Sequence, residues 1–131
     1  MAKIVVIEDD VGFLDLLRVH LASAGHEVRA AQDAALGLRA VITEAPDLIL
    51  LDLNVPYLDG FEMIKALRND PATKQIPVVV LTARADDETF AEVRRLGASQ
   101  FLTKPVTRDA LIRAIDTQLA GPDAQTTGKK R

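Results

Sequence analysis

Acidic, hydroxyl and ammonium side chains stand directly after four short apolar runs of this 131-residue chain. Ile4-Val5-Val6-Ile7 leads into Glu8-Asp9-Asp10, and Leu48-Ile49-Leu50-Leu51 into Asp52. Val78-Val79-Val80-Leu81 leads into Thr82, and Phe101-Leu102-Thr103 into Lys104-Pro105. Carboxylates brought within about 4–5 Å repel one another by a few kcal/mol per pair at an effective dielectric near ~20. A hard divalent cation with oxygen ligands relieves that repulsion. Magnesium (Mg2+) is the expected ion, since it takes one or two carboxylates, waters and a phosphate oxygen. Thiolate and imidazole ligands are absent from these run ends, which argues against zinc or copper. Asp52 could attack phosphorus, as carboxylates do in aspartyl-phosphate enzymes. Phosphoryl transfer needs mostly positioning and neutralisation of the equatorial oxygens. Magnesium, the Lys104 ammonium and the Thr82 hydroxyl would supply both.

The elements that must bring these groups together follow from periodicity. Residues 4–7, 28–31, 48–51, 78–81 and 101–103 read as strands, three of them apolar throughout, as expected for burial on both faces. Glu27-Val28-Arg29-Ala30-Ala31 alternates and suits an edge strand. The segments between have helical spacing, with Leu14, Leu17 and Leu21 on one stripe and Leu111, Ile115 and Leu119 on another. Gly25 and Gly97 follow the first and fourth helices, Asn69-Asp70-Pro71 ends the third, and Gly121-Pro122 reads as the stop of the fifth. Strict alternation of five strands and helices predicts an α/β fold with a doubly wound, five-stranded parallel sheet. Its expected strand order is 2-1-3-4-5, flavodoxin-like, with helices on both faces. Ligands of such sheets bind outside the carboxyl ends of the strands, so Glu8, Asp9, Asp52, Thr82 and Lys104 should meet in one pocket. Residues 1–120 complete this domain. Residues 121–131 have no apolar period and read as a flexible C-terminal tail.

Composition removes other classes. A chain of this length makes one domain and can bury a sufficient core without staples. It has no cysteine, hence no disulfide framework and no thiol nucleophile, which fits a cytoplasmic protein. The net charge of −3 argues against direct nucleic-acid binding. The run after Met1 is cut off by three carboxylates, unlike a signal peptide, and no apolar stretch is long enough to span a membrane. A flavin-binding alternative on this fold needs a Ser/Thr/Gly-rich phosphate loop after the first strand, where this chain has carboxylates. A P-loop is likewise absent.

The chain resembles the receiver domains of two-component response regulators over residues 3–120. The resemblance rests on Ile4 to Asp10, on Asp52-Leu-Asn-Val-Pro-Tyr-Leu-Asp-Gly60, on Leu81-Thr82-Ala83, and on Phe101-Leu-Thr-Lys104-Pro105. It implies that Asp52 is the phosphoacceptor, and that Glu8 and Asp9 bind magnesium with Asp52 and the Asn54 backbone carbonyl. It further implies that Thr82 and Lys104 hold phosphoryl oxygens, that Thr82 and Phe101 form the switch, and that the peptide before Pro105 is cis. The expected partners are a histidine kinase or histidine phosphotransfer protein and a downstream effector bound by the face of helix 4, strand 5 and helix 5. Catalysis would be confined to the protein's own phosphorylation and dephosphorylation. A phosphorylation-independent pseudo-receiver is the alternative, though such domains usually lack the aspartate, the acidic pair or the lysine. Val55 stands where the family often has Met, and Ser99-Gln100 where dimerising members often have an Asp pair. Asp10 and Asp59 read as helix caps, and His20 and His26 as residues away from the pocket.

Overall fold

The computed structural model describes residues 1–54, 59–84 and 86–129, with side chains as far as Ala120. Val55 therefore lies outside the described residues. The parallel strands are β1 (Lys3–Ile7), β2 (Glu27–Ala31), β3 (Leu48–Asp52), β4 (Val78–Thr82) and β5 (Gln100–Thr103). They alternate with α1 (Val11–Ser23), α2 (Ala34–Glu44), α3 (Gly60–Asn69), α4 (Asp87–Leu96) and α5 (Arg108–Lys129). The sheet order is β2-β1-β3-β4-β5, the flavodoxin-like α/β arrangement that the alternation of runs predicts.

Side-chain alternation along the strands splits the core in two. Val5, Ile7, Ile49, Leu51, Val78 and Val80 face α2, α3 and α4, where Val41, Met63, Ile64, Leu67 and Val93 meet them. Ile4, Val6, Leu48, Leu50, Val79 and Leu81 face α1 and α5, against Leu14, Leu17, Leu21, Leu111 and Ile115. β3 and β4 are buried at every residue, which is why their sequences are apolar without interruption until Asp52 and Thr82. β2 alternates between exposed and partly covered positions before ending on buried Ala31, as an edge strand does.

Helix ends are set by side chains that the sequence marks. Asp10 accepts from the Phe13 N–H at 3.0 Å and caps α1, and Asp59 accepts from the Phe61 N–H at 2.8 Å and caps α3. Gly97 closes α4 at φ +107°, where its missing Cβ leaves room for the stem of Arg68. The Arg68 guanidinium then donates to the Gly97 carbonyl at 2.8 Å and to Ile76 and Lys74 at 2.8 and 3.1 Å. This one side chain ties the end of α3 to the end of α4 and to the entrance of β4.

α5 departs from the sequence reading. Gly121-Pro122 reads as its stop, yet the helix continues to Lys129. Glycine and proline disfavour a helix without forbidding it, because the proline ring holds φ in the helical range and forgoes one hydrogen bond. The apolar packing of α5 on the core nevertheless extends only to Leu119.

Gly60 connects this architecture to the end of β3. A Cβ there would lie 2.6 Å from the Leu53 Cα and 2.7 Å from its carbonyl oxygen, both rigid backbone. The Gly60 N–H also donates to that carbonyl at 3.2 Å. Gly60→Ala should therefore push away the backbone next to Asp52 and destabilise the protein by about 1–3 kcal/mol in urea unfolding. An unchanged midpoint would show that the loop absorbs the methyl group without strain.

Candidate functional site

Register decides what meets at the carboxyl edge of the sheet. Ile7 pairs with Leu51, Asp52 with Leu81, and Thr82 with Thr103, so Glu8, Asp52, Thr82 and Lys104 emerge at nearly one level. The Lys104 N–H donates to the Thr82 carbonyl at 2.8 Å, which fixes the point where the lysine leaves β5. The Lys104–Pro105 peptide is cis.

The Lys104 ammonium lies between two carboxylates that are almost fully covered. It donates to Glu8 Oε1 at 2.8 Å and to Asp52 Oδ2 at 3.0 Å. Glu8 is 0% exposed and Asp52 4%. Their other oxygens are also engaged: Glu8 Oε2 accepts from the Asp10 N–H at 3.0 Å, and Asp52 Oδ1 from the Asn54 N–H at 3.1 Å. Asp9 points into solvent at the same rim. Oxygens of Glu8, Asp9 and Asp52 lie within 4.8 Å of one another.

Thr82 is buried, and its Oγ1 accepts from the Arg84 N–H at 3.0 Å. The Arg84 side chain turns outward to Asp86 at 3.7 Å. Phe101 is partly buried, its ring meeting Phe90 of α4 edge-on at 75° with centroids 3.8 Å apart. Beside this pair opens a cavity of about 450 Å³, lined also by Val93, Arg94 and Gln100. His26 accepts from the Ala2 N–H at the opposite end of the sheet, and His20 lies in the last turn of α1. Neither joins the pocket.

Residues 4–116 match the family model described as the response regulator receiver domain. The chain belongs to the response regulator receiver family. It is 33% identical over 121 residues to protein PilH of Pseudomonas aeruginosa, covering 92% of this chain and 100% of PilH. Against the DNA-binding dual master transcriptional regulator RpaA of Synechocystis it is 35% identical over 123 residues, 94% of this chain but 51% of that protein. Among solved structures, the chemotaxis response regulator CheY4 of Vibrio cholerae superposes with a TM-score of 0.84 at 30% identity. That match covers 89% of this chain and 98% of CheY4.

The electrostatics of the receiver pocket fit a hard cation. Burial lifts the Glu8 carboxyl above its ordinary value of 4.5, although the hydrogen bonds from Lys104 and the Asp10 N–H oppose the rise. Burial likewise works to lower Lys104, but its bonds to Glu8 and Asp52 outweigh that and raise it. Three carboxylates facing one ammonium leave surplus negative charge, and their oxygens are donors of the kind magnesium prefers. Phe13 is the residue that sequence reasoning missed: its ring centroid lies 4.6 Å from the Lys104 Nζ. The available signal was its place in the first turn after the acidic run, where a side chain can reach back over the strand ends. Among the described residues, no helix is long and apolar enough to cross a membrane.

Removing the shared cation should expose this balance. In metal-free buffer at about pH 7, Lys104→Met should destabilise the receiver by about 3 kcal/mol, because two buried carboxylates lose their partner. The raised Glu8 value means that the folded chain keeps a proton the unfolded chain has already released. That contribution favours folding at low pH and is lost as pH rises from 4.5 through the folded value. Loss of Lys104 widens the window, so the deficit in urea titrations should be smaller at about pH 5. Equal deficits at both pH values would contradict the pairing.

Proposed function

We propose that this receiver accepts a phosphoryl group on Asp52 and signals by changed protein binding. The observation that carries the reading is the Lys104 ammonium bridging Glu8 and Asp52 beside the Asp9 carboxylate. The donor would be a histidine kinase or a histidine phosphotransfer protein. Glu8, Asp9, Asp52 and the Asn54 backbone carbonyl would hold magnesium. That ion, when bound, neutralises charge on the phosphoryl oxygens.

The chain's own residues then have separable tasks. The Asn54 N–H orients the Asp52 carboxylate, one oxygen of which forms the new bond to phosphorus. The bond from phosphorus to the donor breaks, and its electron pair leaves with the donor. Lys104 passes from the Asp52 carboxylate to a phosphoryl oxygen, and the Thr82 hydroxyl binds another. Catalysis is limited to this self-phosphorylation and the later hydrolysis, so the protein works as a cytoplasmic switch within residues 1–120.

Output would leave through α4, β5 and α5. In binding the phosphoryl group, Thr82 moves toward it and vacates space for the Phe101 ring. Because Phe101 packs on Phe90, its movement must also change α4. A side-chain bond from Gln118 to Gln100 at 2.9 Å joins α5 to the edge strand β5, which supports including α5 in that surface from the other side of the sheet. The effector is a protein that recognises this face, rather than nucleic acid or membrane.

Acetyl phosphate with magnesium should add one phosphoryl group to the intact mass, labile to base and hydroxylamine, and Asp52→Asn should add none. Persistent labelling of the variant would move the acceptor elsewhere. An unlabelled wild type would leave a phosphorylation-independent interaction module as the reading. For the relay, Thr82→Ala and Phe101→Ala should still be labelled, yet bind the effector with less dependence on phosphorylation. Undiminished dependence in both would place the output on another surface.

A further inference from the structure

An ammonium group has three N–H donors, and Lys104 directs two of them to Glu8 and Asp52. The face of the Phe13 ring lies against the same nitrogen, 4.6 Å from the centroid. Such a distance allows a cation–π attraction, which strengthens as water is excluded. The Lys104 side chain is only 22% exposed.

Phe13 is placed there by the start of α1. Its N–H is the donor that Asp10 accepts, so the cap fixing the first turn also fixes the root of the aromatic side chain. The ring packs at the margin of the core cluster shared by α1 and α5. Residues 8–13 therefore provide a buried acid, an exposed acid, a cap and an aromatic platform in a single turn of chain.

The platform becomes important once the carboxylates have other partners. If Glu8 serves a metal ion, Lys104 loses one of the two bonds that hold it inward before a phosphoryl oxygen is there to replace it. A flexible lysine would then extend into water. The Phe13 ring has no ligand atom to give a metal and would go on offering its negative face.

We propose that Phe13 is a positioning residue of this receiver, whose ring holds the Lys104 ammonium over Asp52 while the carboxylates are engaged elsewhere. The proposal rests on the phosphoacceptor reading for its effect on rate, but the contact itself can be tested without phosphorylation. Phe13→Leu keeps apolar bulk and removes the ring face; Phe13→Tyr keeps the ring. In metal-free protein, the Lys104 Hε resonances should be displaced upfield by the ring current, assigned by their absence in Lys104→Met. Phe13→Leu should lose that displacement and Phe13→Tyr retain it. With acetyl phosphate and magnesium, Phe13→Leu should be labelled about two- to fivefold more slowly, with Phe13→Tyr restoring the rate. An unchanged Hε shift in Phe13→Leu would overturn the contact. A slow rate that Phe13→Tyr fails to restore, or no slowing at all, would overturn the positioning role. A wild type that takes no phosphoryl group would overturn the phosphoacceptor reading and the rate effect together. The resonances would still decide the contact by themselves.

Discussion

One ammonium between two buried carboxylates constrains the whole carboxyl edge of this sheet. Glu8 and Asp52 are covered almost completely, and charges so placed are tolerated only when paired and hydrogen-bonded. Their cation comes from Lys104, 96 residues from Glu8 and 52 from Asp52. No local motif can make that contact. It requires β1 and β3 to be neighbours and β5 to lie within a lysine's reach across β4, as the order β2-β1-β3-β4-β5 provides. Of the three carboxylates, Asp9 is the one that the ammonium does not bond, and it is the one at the solvent rim.

Beneath that edge, the sheet is built to hold still. β3 and β4 have no exposed residue, and each strand becomes polar only at its last position, where the backbone reaches the pocket. Close packing makes such interiors resist small displacements. The loops, by contrast, are held by individual hydrogen bonds from backbone N–H groups: Phe13 to Asp10, Asn54 to Asp52, Arg84 to Thr82. A change of charge in the pocket therefore acts first on these bonds and only afterwards on the helices they start.

The architecture was legible because each level of the sequence repeats it. Apolar runs and the longer helical segments between them agree on five units, and a polar residue follows four of the runs. The acidic triad and its lysine were legible for the same reason, since strand order turns run ends into neighbours. What sequence left open depends on side-chain direction. Glu8 and Asp9 are adjacent in the chain and chemically alike, yet just beyond the end of β1 one is buried against Lys104 and the other exposed. The contact of Phe13 with Lys104 and that of Phe90 with Phe101 cross between elements and have no periodic signature. α5 runs beyond Gly121-Pro122 because local breakers raise the free energy of a helix without setting its end.

Phe101 shows how such a pocket can communicate with a distant face. Its ring lacks a hydroxyl, so covering it requires no hydrogen-bond partner, and the aromatic edge of Phe90 already meets it. The barrier to turning the ring further inward is then mainly steric, and in the proposed relay the group that makes room for it is Thr82. That hydroxyl is committed to the Arg84 N–H, at the start of the segment leading to the Asp86 cap of α4. Drawing the hydroxyl toward a phosphoryl group on Asp52 would release this N–H and open space beside β5 in one movement. In that relay α4 would be coupled to the pocket twice, through the backbone that precedes its cap and through Phe90 against Phe101. At its other end Arg68 holds the Gly97 carbonyl to α3, so a shift of α4 would take the form of a swing about that anchored end.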